Sequence, residues 1–415
     1  MEIRRDMYLN KLIRKKKNGM IKVITGVRGC GKSYLLFRLF HDHLTESGIP
    51  DDHIIEIALD DRRHKILRDP YIILQFIKEK ITDKDDYYIL IDDVQYVDRF
   101  EEVLNSLLHI RNADVYVTGS HARKLSEDVI TEFRGRGDEI RVYPLSFSEY
   151  MSVYQGAEEK ALDDYLAYGG LPLVAMKEER EDKEKTLAFL FQKYLSDTAE
   201  RNNVHNGEEL KDLMDVLASV AGSYTNACSL VRTFRSMKNK GIGDKKIKKY
   251  TDCLTDAFLI SRAERYDVKG NRFIANLSKY YFEDTGLIHA RTGFSQITEM
   301  HLMENSIYNE LRVRGYHADA GMVMCYERAG GKKDKKRLDV DFVATRGSEK
   351  YYIQFASWFP DADKANPKYR SFLSIPDNFP KIIVVRNSIN VRRDNKGIIT
   401  IGLKDFLLDK NSLRL

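Results

Sequence analysis

The chain has few of the residues that crosslink a protein covalently. Its four cysteines lie far apart among 415 residues, and no two of them form a C-x-x-C pair. This spacing argues against a disulfide framework and against a zinc site, and it is typical of reduced thiols in a cytoplasm. The sequence therefore predicts a cytoplasmic protein.

Long apolar runs are also missing. No stretch approaches the roughly 18 residues needed to span a bilayer. The first 20 residues are charged and lack the apolar segment of a secretory signal. Because 43% of the residues are hydrophobic and 32% are charged, the composition is that of an ordinary soluble globular protein. The length predicts about two to four domains, and we expect no membrane partner.

A large excess of one charge is absent, since the net charge is only +5. The basic residues are nevertheless clustered at 14–17, 245–249 and 332–337. One such cluster is more typical of a solvated face than of a binding site. Three clusters in separate regions favour a polyanionic partner.

The most informative segment that is present reads GVRGCGKS at 26–33, which matches the phosphate-binding pattern G-x-x-x-x-G-K-[ST]. A strand-like run at 23–25 precedes it, and a helical pattern at 34–40 follows. The glycines let backbone N–H groups close around phosphate oxygens. We expect Lys32 to reach the β- and γ-phosphates of ATP and the Ser33 hydroxyl to bind Mg²⁺. The predicted nucleotide-binding residues are Gly26, Val27, Arg28, Gly29, Cys30, Gly31, Lys32, Ser33 and Tyr34.

Two acidic residues follow an apolar run at 87–91, in a region of alternating strand-like and helix-like segments that predicts a three-layer α/β domain with a parallel sheet. Asp92 and Asp93 thus have the Walker B arrangement, in which Asp92 holds Mg²⁺ through water. Asp93 stands where ATPases of this kind usually carry a glutamate that orients the attacking water. Because aspartate is one methylene shorter, we expect slow hydrolysis or a switch that holds nucleotide. Alternatively, Asp93 only caps the following turn.

Further residues are candidates for the catalytic site. Ser120 ends the next strand-like run and is our first candidate for sensing the terminal phosphate, with His121 as the second and a simple turn residue as an equal alternative. Arg134 and Arg136 precede a later strand, where AAA+ proteins place an arginine that reaches a neighbouring subunit's nucleotide. This position predicts self-association. Either arginine could equally serve its own chain or pair with a carboxylate.

Further motifs occur along the rest of the chain, at 143–147, 168–172, 284–287 and 304–311. With the segments above, they resemble prokaryotic AAA+-type ATPases that carry a C-terminal domain of unknown function, over nearly the whole length. The chain departs from that family at 29–30, where relatives often carry Arg-Ser, and at Asp93. The resemblance implies a P-loop ATPase domain at 1–150, a helical lid at 151–207, a winged-helix-like domain at 208–292 and a PD-(D/E)xK nuclease-like domain at 293–415.

A basic helix within the predicted winged-helix domain is the candidate for DNA binding. The pattern from 244 to 257 places it where a winged helix has its recognition helix. Lysines there can contact phosphates, which positions a protein on DNA without reading its sequence. A solvated basic helix is an equal alternative, and winged helices also bind proteins. The candidate lysines are Lys245, Lys246, Lys248 and Lys249.

The nuclease-like domain lacks two groups that cleavage needs. Glu304 and Asp341 fit the acidic positions of the resembled fold, but Gln354 replaces the second carboxylate and Ala356 replaces the lysine. An amide oxygen is uncharged and therefore a poor ligand in a Mg²⁺ cage. We expect this domain to be catalytically degenerate.

These patterns together predict an ATPase that uses ATP and Mg²⁺, with the nucleotide state controlling a DNA-binding C-terminal half. One alternative is a low-turnover signalling switch that binds protein partners. A second alternative is an ATP-gated nuclease. ATP turnover and salt-dependent DNA binding separate the first two functions.

Overall fold

The strands fall into two separate sheets, one with five strands and one with eight. The structure is a computed structural model that describes residues 3–120, 137–292, 299–329, 332–356 and 367–414. The chain divides into a first unit, Met1–Pro144 with Asp256–Phe258, and a second unit, Leu145–Thr255 with Leu259–Leu415. No helix among the described residues is both long and apolar enough to cross a bilayer.

The first unit is built on a fully parallel sheet with the strand order β2-β3-β4-β1-β5. The central strands are buried along their whole length, as expected for a parallel sheet that is covered on both faces. The predicted α/β architecture is therefore confirmed. The strands are β1 (Ile21–Thr25), β2 (Ile54–Ala58), β3 (Tyr87–Asp92), β4 (Ala113–Gly119) and β5 (Gly137–Arg141).

Helices and short turns connect these strands. One of these helices begins at Pro70, a residue that is tolerated in the first turn. Asp69 caps this helix by accepting hydrogen bonds from the N–H groups of Tyr71 and Ile72. The helices are α1 (Asp6–Arg14), α2 (Lys32–Tyr34), α3 (His41–Glu46), α4 (Pro70–Lys80) and α5 (Phe100–Leu107). A π-helical segment (Leu35–Phe40) joins α2 to α3, and 3₁₀ turns lie at Asp51–His53, Arg62–Arg68 and Val94–Tyr96.

The second unit begins with helices. A capping box between Ser146 and Glu149 starts the first of them. The helices before the sheet are α6 (Phe147–Met151), α7 (Ala161–Tyr168), α8 (Pro172–Ala175), α9 (Arg180–Arg201), α10 (Gly207–Ser219), α11 (Ala227–Lys238) and α12 (Asp244–Asp256). The later helices are α13 (Thr285–Thr292), α14 (Glu299–Val313), α15 (Pro367–Leu373) and α16 (Leu403–Leu408), and a 3₁₀ turn lies at Glu158–Lys160.

The sheet of the second unit is mixed and has the strand order β12-β13-β11-β10-β9-β8-β6-β7. Its strands are β6 (Ile260–Asp267), β7 (Arg272–Phe282), β8 (His317–Ala329), β9 (Lys332–Arg346), β10 (Glu349–Ala356), β11 (Lys381–Val385), β12 (Arg392–Arg393) and β13 (Ile399–Gly402). β6 pairs in parallel with β8, so one sheet runs through both the predicted winged-helix range and the predicted nuclease-like range. The domain boundaries at 150, 207 and 292 stay predictions.

The element order from α10 to β7 bears on the predicted winged helix. Three helices are followed by the antiparallel hairpin of β6 and β7. Thr225, between the first two helices, forms an isolated bridge with Ser278 of β7. A helix, a short extended segment, two helices and a hairpin is the order that a winged helix requires. The assignment itself stays a prediction.

Candidate nucleotide-binding site

The loop between β1 and α2 has a backbone that depends on glycine. Gly26 and Gly31 have φ angles of 144° and 101°, which residues with a Cβ rarely adopt. A Cβ on Gly26 would lie 2.1 Å from the carbonyl oxygen of Val142. Cys30 is fully buried, and its Sγ donates a hydrogen bond to the same oxygen at 3.4 Å. The loop therefore has the compact geometry that its sequence pattern predicts.

The side chain of Lys32 lies back across this loop. Its Nζ donates hydrogen bonds to the carbonyl oxygens of Gly26 at 2.9 Å and Val27 at 3.1 Å. The residue is only 6% exposed. Both of these partners are neutral, so they do not cancel the positive charge that the ammonium group brings to the loop. A buried cation in this position is suited to a polyanionic ligand.

The loop and the end of β3 meet at Ser33 and Asp92. The Ser33 hydroxyl donates a hydrogen bond to the Asp92 carboxylate, and so does the hydroxyl of Thr118. Burial raises the pKa of Asp92, and the charge of neighbouring Asp93 adds to this, while the two hydrogen bonds oppose it. The two predicted magnesium ligands are thus adjacent, although 59 positions separate them in the sequence.

Asp93 follows with a left-handed backbone, φ 54° and ψ 50°. Its N–H donates to Thr118 Oγ1 at 2.9 Å. Its Oδ1 accepts hydrogen bonds from Gln95 Nε2 at 2.7 Å and from Ser120 Oγ at 3.4 Å. The Asp93 side chain makes no capping hydrogen bond to the turn Val94–Tyr96, which does not support the alternative that it is merely a cap.

Two residues of this cluster were not identified from the sequence. Thr118 bridges the two aspartates, because its hydroxyl donates to Asp92 and accepts from the backbone of Asp93. Gln95 holds the Asp93 carboxylate. The pairing of β3 with β4 offered a signal for Thr118, because the carboxyl ends of neighbouring parallel strands meet at one edge of the sheet. No comparable signal pointed to Gln95.

The remaining predicted residues of the first unit divide into two groups. Val27 is buried, whereas Arg28, Gly29, Gly31 and Tyr34 are half-buried. His121, Arg134 and Arg136 lie outside the described residues, so the arginine finger stays a prediction.

The four candidate lysines lie on the exposed face of α12. Lys246 forms an ion pair with Glu209, and its Nζ lies 5.7 Å from the centre of the Tyr250 ring. The opposite face packs inward through Ile247 and Leu254. Lys245, Lys248 and Lys249 therefore project from the side of the helix that does not contribute to the core.

A groove of about 770 Å³ lies beside α12. It is bounded by the start of α11, by α12 and by the outer face of the β6–β7 hairpin. Lys248 of α12 and Arg262 of β6 contribute positive charge, and Phe273 contributes an exposed ring. Glu264 is an acidic residue in the lining.

The predicted nuclease-like residues are engaged by lysines. Asp341 Oδ2 accepts a hydrogen bond from Lys368 Nζ at 2.6 Å, and Glu304 Oε1 accepts one from Lys279 Nζ at 2.8 Å. The side-chain amide nitrogen of Gln354 donates hydrogen bonds to the carbonyl oxygen of Asp339 and to the hydroxyl of Ser371. Within the described ranges, no group of three His, Cys, Asp or Glu side chains could hold a metal ion. A cation lies next to Asp341, since Lys368 of α15 forms an ion pair with it, and the catalytic degeneracy of this part stays a prediction.

Comparisons with known proteins define what the chain is related to. Residues 18–151 match the family described as an AAA domain, and residues 159–298 match a domain of unknown function (DUF8612). An uncharacterized protein of Haemophilus influenzae is 32% identical over 413 residues, covering 98% of each chain. The chain belongs to the family of that protein. This chain therefore combines an AAA+ ATPase-like domain with a domain of unknown function.

A second relative has a lower identity. An uncharacterized protein of Methanocaldococcus jannaschii, MJ1544, is 27% identical over 371 residues, covering 85% of this chain and 77% of the relative. A solved structure of a DNA replication initiation factor is 16% identical, with a TM-score of 0.30, and covers 61% of this chain and 92% of the other. A similarity this low does not bear on function.

Proposed function

We propose that the chain is a Mg²⁺-dependent ATPase whose nucleotide state controls nucleic-acid binding by the second unit. The ATPase part of this proposal rests on the contact between Ser33 of the loop and Asp92 of β3. This contact places an alcohol and a carboxylate oxygen beside a glycine-dependent loop. Both are the hard oxygen ligands that Mg²⁺ prefers.

The loop fits a triphosphate because of its shape and its charge. The carbonyl oxygen of Val142 lies so close to Gly26 that no side chain could stand between them. Backbone N–H groups of the loop are the donors for phosphate oxygens, and Lys32 supplies a positive charge. Mg²⁺, when bound, neutralises charge on the phosphates. Ser33 and Asp92 are the residues that hold it.

Asp93 and Ser120 are assigned to positioning the attacking water. The two side chains are in contact, and both lie at the carboxyl ends of neighbouring strands, where ligands bind in open α/β sheets. Removing one such polar group typically lowers turnover by about 10²-fold. The short side chain of Asp93 favours slow turnover.

Calorimetry with ATP and Mg²⁺ tests the binding step. We expect Lys32→Ala to weaken ATP binding by at least about tenfold, since it removes the charge that meets the phosphates. Lys84→Ala is the matched control, because Lys84 is an exposed lysine of the same unit, far in sequence from the loop. Absence of any heat with wild-type protein would contradict the proposal.

Nucleic-acid binding is assigned to the exposed face of α12 and the adjoining groove. Lys245, Lys248 and Lys249 project from the helix, and Lys248 and Arg262 both line the groove. Phosphate contacts of this kind release counterions, so affinity falls with salt by a log–log slope of about 0.9 per contact. Replacing these three lysines by alanine should reduce the slope by roughly 2.7. Duplex DNA binding with an unchanged slope would contradict this assignment.

Two other functions remain as alternatives. A signalling switch with negligible hydrolysis is favoured by the short Asp93, and it predicts ATP binding without turnover and without salt-dependent DNA binding. An ATP-gated nuclease is disfavoured because lysines engage both Glu304 and Asp341. Turnover measured with and without duplex DNA separates these functions, since stimulation by DNA supports coupling between the ATPase and DNA binding.

Self-association through Arg134 or Arg136 is part of the same proposal. An arginine in trans stabilises transition-state charge and is worth about 10³-fold or more in rate. If Arg134→Ala and Arg136→Ala both leave turnover intact, neither residue serves as a finger.

A further inference from the structure

Gln95 and Asp93 form a side-chain contact that the proposed mechanism does not use. Gln95 Nε2 donates to Asp93 Oδ1 at 2.7 Å, and Ser120 Oγ lies 3.4 Å from the same oxygen. Both side chains therefore donate to the same oxygen, Oδ1. Among the residues that the structure describes, no hydrogen bond reaches Oδ2 of Asp93. The two oxygens of one carboxylate are thus placed in different surroundings.

The backbone of Asp93 is fixed independently of its side chain. It has a left-handed conformation, which costs free energy for a residue with a Cβ. The hydrogen bond from its N–H to Thr118 Oγ1 holds it there. Thr118 therefore holds the backbone of Asp93, and Gln95 holds its carboxylate.

The side-chain amide of Gln95 carries an unfavourable free-energy term. Its Oε1 is buried and, within the described part of the chain, has no hydrogen-bond partner. Leaving a buried acceptor unpaired is unfavourable, and an apolar residue of similar size would remove that penalty. The hydrogen bond that the amide does make is the one to Asp93. This indicates that the amide serves Asp93 and not the packing of its own turn.

We propose that Gln95 is a positioning residue for ATP hydrolysis, an inference that rests on the proposed ATPase function. By holding Oδ1, it directs Oδ2 of Asp93 to accept a hydrogen bond from the attacking water. The water attacks the γ-phosphorus, the bond from that phosphorus to the bridging oxygen breaks, and ADP, phosphate and a proton are released. Asp93 is one methylene shorter than glutamate, so a fixed orientation compensates for its shorter reach.

Steady-state ATP turnover of full-length variants tests this role. Gln95→Ala and the isosteric Gln95→Glu should each lower kcat by about 10- to 100-fold, the worth of a hydrogen bond to a charged group, while KM for ATP stays unchanged. Gln75→Ala is the matched control. The Gln75 amide also donates to a carboxylate, that of Glu79 at 2.8 Å, but on an exposed helix of the same unit.

A second background separates positioning from structural support. In Asp93→Glu the longer side chain places its carboxylate elsewhere, so adding Gln95→Ala should change kcat by less than about threefold. A structural role would instead lower the melting temperature and act equally in both backgrounds. If wild-type protein hydrolyses ATP and Gln95→Ala does so as fast as the control Gln75→Ala, the inference is wrong and the ATPase proposal stands. Wild-type protein that binds ATP without hydrolysing it, or that does not bind it, overturns the proposed ATPase function itself and the inference with it.

Discussion

The carboxylate of Asp284 accepts a hydrogen bond from the backbone N–H of Gly170 at 2.7 Å, joining two segments 114 positions apart. Its other oxygen accepts from Gly286 N at 2.9 Å. The side chain is fully buried, so these backbone donors replace water. The Gly-Gly-Leu-Pro segment at 169–172 and the Asp-Thr-Gly-Leu segment at 284–287 are therefore two halves of one structural contact within the second unit.

Gly169→Ala should destabilise the second unit. Gly169 has a φ of 76°, and a Cβ there would lie 1.8 Å from Asp284 Oδ1. Strain and displacement of the carboxylate together should cost about 2–4 kcal/mol of unfolding free energy. Urea denaturation measures this. Gly207→Ala is the control, because a Cβ added there would meet no atom of the described residues within 4 Å, and a change of similar size there would contradict the prediction.

Stability should also depend on pH through Asp284. Burial raises the pKa of Asp284 to about 7, although backbone hydrogen bonds from Gly170 and Gly286 oppose the rise. Between the unfolded pKa of about 4 and about 7, the native state binds more protons than the unfolded state. The unfolding free energy therefore falls as pH rises through this window, by a few kcal/mol at most. Denaturation at pH 5, 6, 7 and 8 should show the decline, and Asp284→Asn should remove it. An unaltered slope in the variant would show that another group is responsible.

The buried ion pair of Lys279 and Glu304 should respond strongly to loss of one partner. Burial alone would lower the pKa of Lys279, but the charges of Glu304 and Asp341 raise it above its ordinary value. Lys279→Met leaves Glu304 without its cation and should cost about 3–5 kcal/mol. Lys404→Met is the comparison, since the Lys404–Glu158 pair is exposed and its loss should reduce stability far less. Equal losses of unfolding free energy in the two variants would refute this expectation.

Thr118→Val should reduce ATP turnover. The substitution keeps the shape of the side chain but removes the hydroxyl that joins Asp92 to the backbone of Asp93. We expect about a 10- to 100-fold lower kcat and a higher Mg²⁺ requirement, because the Asp92 carboxylate and the backbone N–H of Asp93 each lose a fixed partner. Turnover measured across a Mg²⁺ titration checks this. Thr45→Val is the control, because it removes an exposed threonine hydroxyl that donates to the carbonyl oxygen of His41. Wild-type behaviour of Thr118→Val would rule out the bridging role.

The sequence predicted those site residues whose roles are encoded locally. A phosphate-binding loop is a continuous segment, so its glycines, Lys32 and Ser33 could be identified from spacing alone. Asp92 was found because an apolar strand precedes it directly. Thr118 and Gln95 were missed because their roles depend on what they contact. In the second unit, the ion pair of Lys368 with Asp341 could not be predicted, since the two residues come from different elements.

By itself, the sequence determined the alternation of strands and helices in the first unit, the phosphate-binding loop and the acidic end of β3, because these depend on short-range periodicity and backbone conformation. The tertiary structure alone decided that β6 and β7 join the strands of the nuclease-like range in one sheet, that Asp284 binds Gly170, and that lysines neutralise Glu304 and Asp341. Each of these depends on contacts between distant segments. The free energy of such contacts comes from burial and hydrogen bonding in the folded chain, which no local pattern of residues specifies.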